Sequence, residues 1–116
     1  MLFSLIIPVY NRPDEVDELL ESLTHSTYKE TFEIVLVEDG SSLLCKNIAQ
    51  NYADRLDISY YFKENSGPGD SRNYGMKMAK GEYFIIFDSD CIIPQEYLTE
   101  VDKALKQNYV DCFGGP

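Results

Sequence analysis

Four short apolar runs are spaced along the chain: "LFSLIIPV" (2–9), "FEIVLVED" (32–39), "ISYYF" (58–62) and "EYFIIF" (82–87). Stretches of helical periodicity separate them, and that alternation leaves few folds open. After the first run, Val16, Leu19, Leu20 and Leu23 recur at i, i+3, i+4 and i+7 with acids between them, which predicts an amphipathic helix. Pro13 suits its first turn, with Asn11 or Arg12 near the cap. A second helix is expected from about Leu43 to Tyr52, using Leu44, Ile48, Ala49 and Tyr52. "NSGPGDSRNYGMKMAKG" (65–81) reads as a loop and then a helix stopping at Gly81; "PQEYLTEVDKALKQ" (94–107) reads as a helix and "YVDCFGG" (109–115) as a fifth strand. Strand and helix in alternation predict an α/β fold, a Rossmann-like, mostly parallel sheet with flanking helices and a strand order such as 3-2-1-4.

In such a sheet, ligands bind beyond the carboxyl ends of the strands, near where the strand order reverses. "PVYNR", "EDGSS", "NSGPGDSR" and "DSDC" all fall at those ends. Their convergence on one crevice is a stronger signal than any one of them.

At 116 residues the chain is one domain, and 44% apolar against 26% charged residues places it among globular chains. A net charge of −10 disfavours nucleic acid and anionic membrane surfaces as partners, so an anionic ligand needs a local cation or metal ion. Three cysteines, Cys45, Cys91 and Cys112, are odd in number and lack CxxC spacing, which points to reduced thiols rather than a disulfide or zinc site. The single His25 leaves no His-based metal cage or Ser-His-Asp triad. The amino terminus lacks a basic leader and is interrupted by Pro8, and no apolar run is long enough to span a bilayer. A cytoplasmic setting is expected, with membrane association left open for the full-length protein.

"FIIFDSDCII" raises the sharpest chemical question, because Asp88 and Asp90 stand at the mouth of a buried strand. Each loses hydration there and repels the other. At i and i+2 of an extended chain they can point to one side and share a divalent cation, typically with substrate phosphates. The same triplet also fits a polar loop in which Asp90 helps cap the helix starting near Pro94.

In "VEDGSS", Asp39-Gly40 is an ordinary turn signal and Ser41 or Ser42 can cap the next helix. Functionally, Asp39 can accept a hydrogen bond from a nucleobase imide N–H such as that of uracil, with Glu38 as a neighbour. "SGPGDSRN" carries two glycines into a helix, a geometry that brings backbone N–H groups near phosphate, although it is neither a Walker A loop nor GxGxxG. Arg72, in the first turn, is a candidate phosphate or ribose contact, or else a surface ion-pair partner. In "PVYNR", Tyr10 can flank a base beside backbone atoms around Pro8 and Val9, or simply face the core. Cys91 and His25 carry no functional signal.

Together, "SLIIPVYNR", "IVLVEDGSS" and "NSGPGDSRNYGMKMAKGEYFIIFDSDCIIP" resemble the family 2 glycosyltransferases, inverting enzymes with the GT-A fold. The likeness covers nearly the whole chain, in order and at the right spacings. It implies a nucleotide-diphospho-sugar donor, most often on UDP, and Mn²⁺ or Mg²⁺ as cofactor. It implies that Asp39 reads uracil, that Pro8 and Tyr10 flank it and that Arg72 lies by the nucleotide. Asp88 would sit near the ribose or metal, and Asp90 would ligate the metal that bridges the two phosphates. Ser71 departs mildly from the alanine common in the family before Arg-Asn. Family members continue into an acceptor-binding half that carries the general base. The expectation is therefore a donor-binding portion, residues 1–116, with the base outside it, a glycan or lipid-linked glycan acceptor, and self-association through a surface the other half would cover.

Three other readings compete, one of them a non-catalytic binding or scaffold module that the sequence does not separate from half an enzyme. A receiver-type signalling module gathers acids after its first and third strands and needs a lysine after its last; here the first strand ends in "PVYNR" and residues 109–116 contain no lysine. A nucleotidyltransferase needs a glycine-rich basic loop after the first strand, and "VYNRPDE" has no glycine.

Overall fold

In the computed structural model, residues 3–108 are described; the fifth strand expected at 109–115, and Cys112 within it, lie outside them. The elements run β1 (Phe3–Val9), α1 (Pro13–Thr24), β2 (Phe32–Asp39), α2 (Lys46–Tyr52), β3 (Ile58–Lys63), α3 (Pro68–Met78), β4 (Tyr83–Ile86) and α4 (Tyr97–Asn108). The sheet has the order β3-β2-β1-β4 with every pairing parallel, as the alternation of runs and helices predicts.

β1 and β2 are central, so both of their faces are covered and their sequences are almost continuously apolar. On one face Phe3, Leu5, Ile7, Ile34 and Leu36 pack with Val16, Leu19, Leu20 and Leu23 of α1 and with Leu98, Val101 and Leu105 of α4. The opposite face is smaller: Ile6, Val35 and Val37, flanked by Tyr74 and Met76 of α3. α3 lies very close to this face at Gly75, where a Cβ would stand 2.6 Å from Ile6 Cγ2 and 3.3 Å from Val37 Cγ2. At the amino end of the sheet, the buried Glu33 carboxylate is satisfied by the Ser4 hydroxyl at 2.6 Å and by the Lys80 amide.

Two elements start later than the sequence suggests. α2 begins at Lys46, not near Leu43, and Leu43 and Leu44 are exposed before it. The reason is local: the side-chain carbonyl of Asn11 accepts the amides of Ser42 and Leu43 at 2.8 and 3.0 Å, which holds them out of a helix. α4 begins at Tyr97, after a turn through Pro94.

Candidate functional site

The carboxyl ends of the strands and the entry to α3 enclose a cleft of about 340 Å³ lined by Pro8, Val9, Tyr10, Asp39, Asn65, Gly67, Asp88 and Ser89. Four of the residues singled out from the sequence, Pro8, Tyr10, Asp39 and Asp88, thus meet in one place. Tyr10 is 52% exposed, a large aromatic ring at the rim rather than a core residue. Pro8 is half-buried at the end of β1.

Asp39 is the best-held group of the cleft and is only 5% exposed. Its Oδ1 accepts from Lys63 Nζ at 2.8 Å and from the Ser66 amide at 2.9 Å, and its Oδ2 accepts from the Gly67 amide at 3.0 Å. Burial pushes its carboxyl up, but the Lys63 ammonium and the two amides outweigh that, and the net shift is downward. Asp39 is therefore an ionised acceptor at neutral pH. Two amides of the "SGPGDSRN" loop thus go to Asp39 rather than standing free for a phosphate. Gly40 makes this approach possible: its φ is +67° and a Cβ there would lie 2.6 Å from the Asn65 amide nitrogen.

Glu38, its neighbour, points to the opposite face of the sheet. Its Oε1 accepts from the Cys45 amide and from the Tyr60 hydroxyl, both at 2.8 Å, so it organises the start of α2 and lies outside the cleft. Asn11, next to the cleft-lining Tyr10, ties the end of β1 to the loop after β2. It holds φ +52°, a conformation Asn tolerates better than most residues. Its own amide donates to Ser41 Oγ at 2.8 Å while its side chain takes the Ser42 and Leu43 amides. Neither serine caps α2; Ser41 is committed to the β1 loop.

Asp88 and Asp90 are exposed at the mouth of β4. Of the two readings of this triplet, an extended pair or a polar loop, the backbone matches the loop: β4 ends at Ile86, and the Cys91 amide donates to the Asp88 carbonyl at 3.1 Å, which closes a turn. Just before the turn, the Phe87 amide still donates to the Ile6 carbonyl of β1 at 3.0 Å. Among the described residues there is no group of three or more His, Cys, Asp or Glu placed to hold a metal ion. Two solvated carboxylates at the edge of a cleft do suit a cation that takes its other oxygens from a diphosphate and water.

Arg72 lies in the second turn of α3 rather than the first, half-buried and outside the cleft lining, with no ion pair among the described residues. Sequence reasoning missed Lys63 and Asn65, and read Asn11 only as a residue near the cap of α1. The signal for Lys63 was available in part, as a cation at the end of the third apolar run in a strongly acidic chain. Its register opposite Asp39 was not.

The Glycosyl transferase family 2 model matches residues 4–116. The chain belongs to that family. Membership of family 2 decides against the receiver and nucleotidyltransferase readings. The chain is 47% identical over 83 residues to an uncharacterised glycosyltransferase of Rickettsia typhi, covering 72% of this chain and 25% of that protein. It is 34% identical over 114 residues to the poly(ribitol-phosphate) β-N-acetylglucosaminyltransferase TarS of Staphylococcus aureus, covering 96% of this chain and 20% of that one. The crystal structure of S. aureus TarS 1–349 in complex with UDP-GlcNAc matches with a TM-score of 0.88 at 34% identity, over 94% of this chain and 32% of that chain. The sheet and flanking helices described above are thus of the GT-A type. This family 2 chain spans a quarter or less of the length of those two curated relatives.

Proposed function

We propose that this chain is the donor-binding portion of a glycosyltransferase that transfers a sugar from a nucleotide-diphosphate sugar, UDP-linked, to an acceptor hydroxyl by an inverting displacement. The observation that carries the reading is the meeting of Pro8, Tyr10, Asp39 and Asp88 in one cleft beyond the strand ends. The ionised Asp39 suits a base with an imide N–H, and the Tyr10 ring offers that base a flank beside Pro8. Arg72 would approach the nucleotide from α3. The binding of UDP-GlcNAc by TarS supports uridine as the nucleoside.

Asp90, with Asp88 beside it, would hold Mn²⁺ or Mg²⁺, whose charge, when bound, stabilises the diphosphate as it departs. The chain's own residues do the rest of the donor's work: Asp39 orients the base, and the cleft walls position the anomeric carbon for attack from the opposite face. No residue of the cleft is assigned as the acceptor's general base. The acceptor would be a glycan or a related polyol polymer, the class named for TarS.

Saturation-transfer NMR with UDP-glucose tests this reading. Transfer is expected to be strongest at the uracil and ribose protons and to be lost in Asp39→Asn. Transfer spread evenly over the ligand, or unchanged by that substitution, would refute it.

A further inference from the structure

Lys63 stands behind the cleft, paired with Asp39 of its lining, and its side chain is only 14% exposed. An ammonium has three N–H donors. In Lys63 all are spent: on Asp39 Oδ1 at 2.8 Å, on the Glu64 carbonyl at 2.8 Å and on Ser66 Oγ. It has no N–H left for a phosphate, so a phosphate-clamp role does not fit. What it does is tie the end of β2 to the end of β3 and to the loop entering α3.

The consequence lies on Asp39. A carboxylate has about four acceptor positions. Lys63 and the Ser66 amide fill those of Oδ1, and the Gly67 amide fills one on Oδ2, leaving one Oδ2 position open on a residue that lines the cleft. We propose that Lys63 is a positioning residue for base selectivity, fixing the Asp39 carboxylate so that its remaining lone pair accepts the imide N–H of uracil and repels the N3 lone pair of cytosine. This deepens the reading above and rests on the cleft binding a nucleotide. Without the ammonium, Asp39 is freer to rotate and to take up a proton. A neutral carboxyl donates to cytosine N3 as readily as it accepts from uracil.

The test measures the ratio of UDP to CDP affinity, with Mn²⁺ present, in the full chain and its variants. Lys63→Met keeps the apolar stem and removes the charge. It should lower the UDP:CDP ratio by about tenfold, the worth of one hydrogen bond to a charged group. Lys63→Arg should restore most of the ratio. Ser66→Ala removes an anchor of the lysine at an exposed position, so it serves if Lys63→Met fails to fold, and should lower the ratio by a smaller factor. Equal weakening of both nucleotides, or an unchanged ratio, would overturn the proposal. If the unsubstituted protein binds neither nucleotide, the donor-site reading fails on its own. Amide exchange at Ser66 and Gly67 then decides for Lys63: faster exchange in the variants supports its hold on Asp39, and unchanged exchange overturns it.

Discussion

Asn11 holds the loop after β2 from the end of β1: its side-chain carbonyl accepts the Ser42 amide at 2.8 Å and the Leu43 amide at 3.0 Å, while its backbone stays at φ +52°. Two requirements, a left-handed backbone and a short acceptor, meet in one residue. They can be separated. Asn11→Gly keeps the backbone easy but loses the acceptor, and should cost about 1 kcal/mol. Asn11→Ala loses both and should cost about 2 kcal/mol. Denaturant midpoints check the order; equal losses would mean that the backbone conformation carries no strain.

α3 sets the height of the loop that delivers Ser66 and Gly67 to Asp39, and its distance from the sheet is fixed at Gly75. A Cβ at Gly75 would meet Ile6 Cγ2 at 2.6 Å, whereas at Gly69 nothing lies within 4 Å. Gly75→Ala should therefore destabilise by about 1–3 kcal/mol through overpacking. Gly69→Ala, in the same helix, should be neutral or stabilise by up to about 1 kcal/mol. Thermal melts of the two variants distinguish packing from helix propensity.

Acid sensitivity follows from Asp39. Its folded-state pKa lies below the ordinary 3.8, so the stability it contributes is present above that value and is lost as pH falls through the lower folded value. Asp39→Asn should cost about 3 kcal/mol near neutrality by leaving Lys63 unpaired. The gap between variant and parent should then close below about pH 4. Stability measured against pH for both proteins isolates this residue from the other carboxylates, and a gap that stays constant into acid would contradict the assignment.

Much of the architecture was legible in the sequence. The apolar runs of β1 and β2 are too uniform for one-sided strands, and the spacing of Val16, Leu19, Leu20 and Leu23 admits only a helix, so the parallel sheet and its order followed. That Asp39, Tyr10 and Asp88 meet in one cleft was readable because strand ends converge in such a sheet. Lys63 was not, because its value depends on pairing opposite Asp39, and register is a tertiary property. The late start of α2 was hidden for the same kind of reason. Leu43 and Leu44 look helical until Asn11, more than thirty residues earlier, takes the amides beside them. For Asp88-Ser89-Asp90 the sequence left an extended pair and a polar loop both open, because the apolar neighbours continue the pattern of the strand; the turn at Asp88–Cys91 matches the loop.

The central claim is that the cleft binds a uridine diphosphate through Asp39 on one side and a cation at Asp88 and Asp90 on the other. Calorimetric titration of UDP with and without Mn²⁺, repeated on Asp88→Ala and Asp90→Ala, tests it most directly. Binding is expected to require the metal and to be lost in both variants, with the fold unchanged because both carboxylates are exposed. Binding of equal strength with and without Mn²⁺, or intact in both variants, would contradict it.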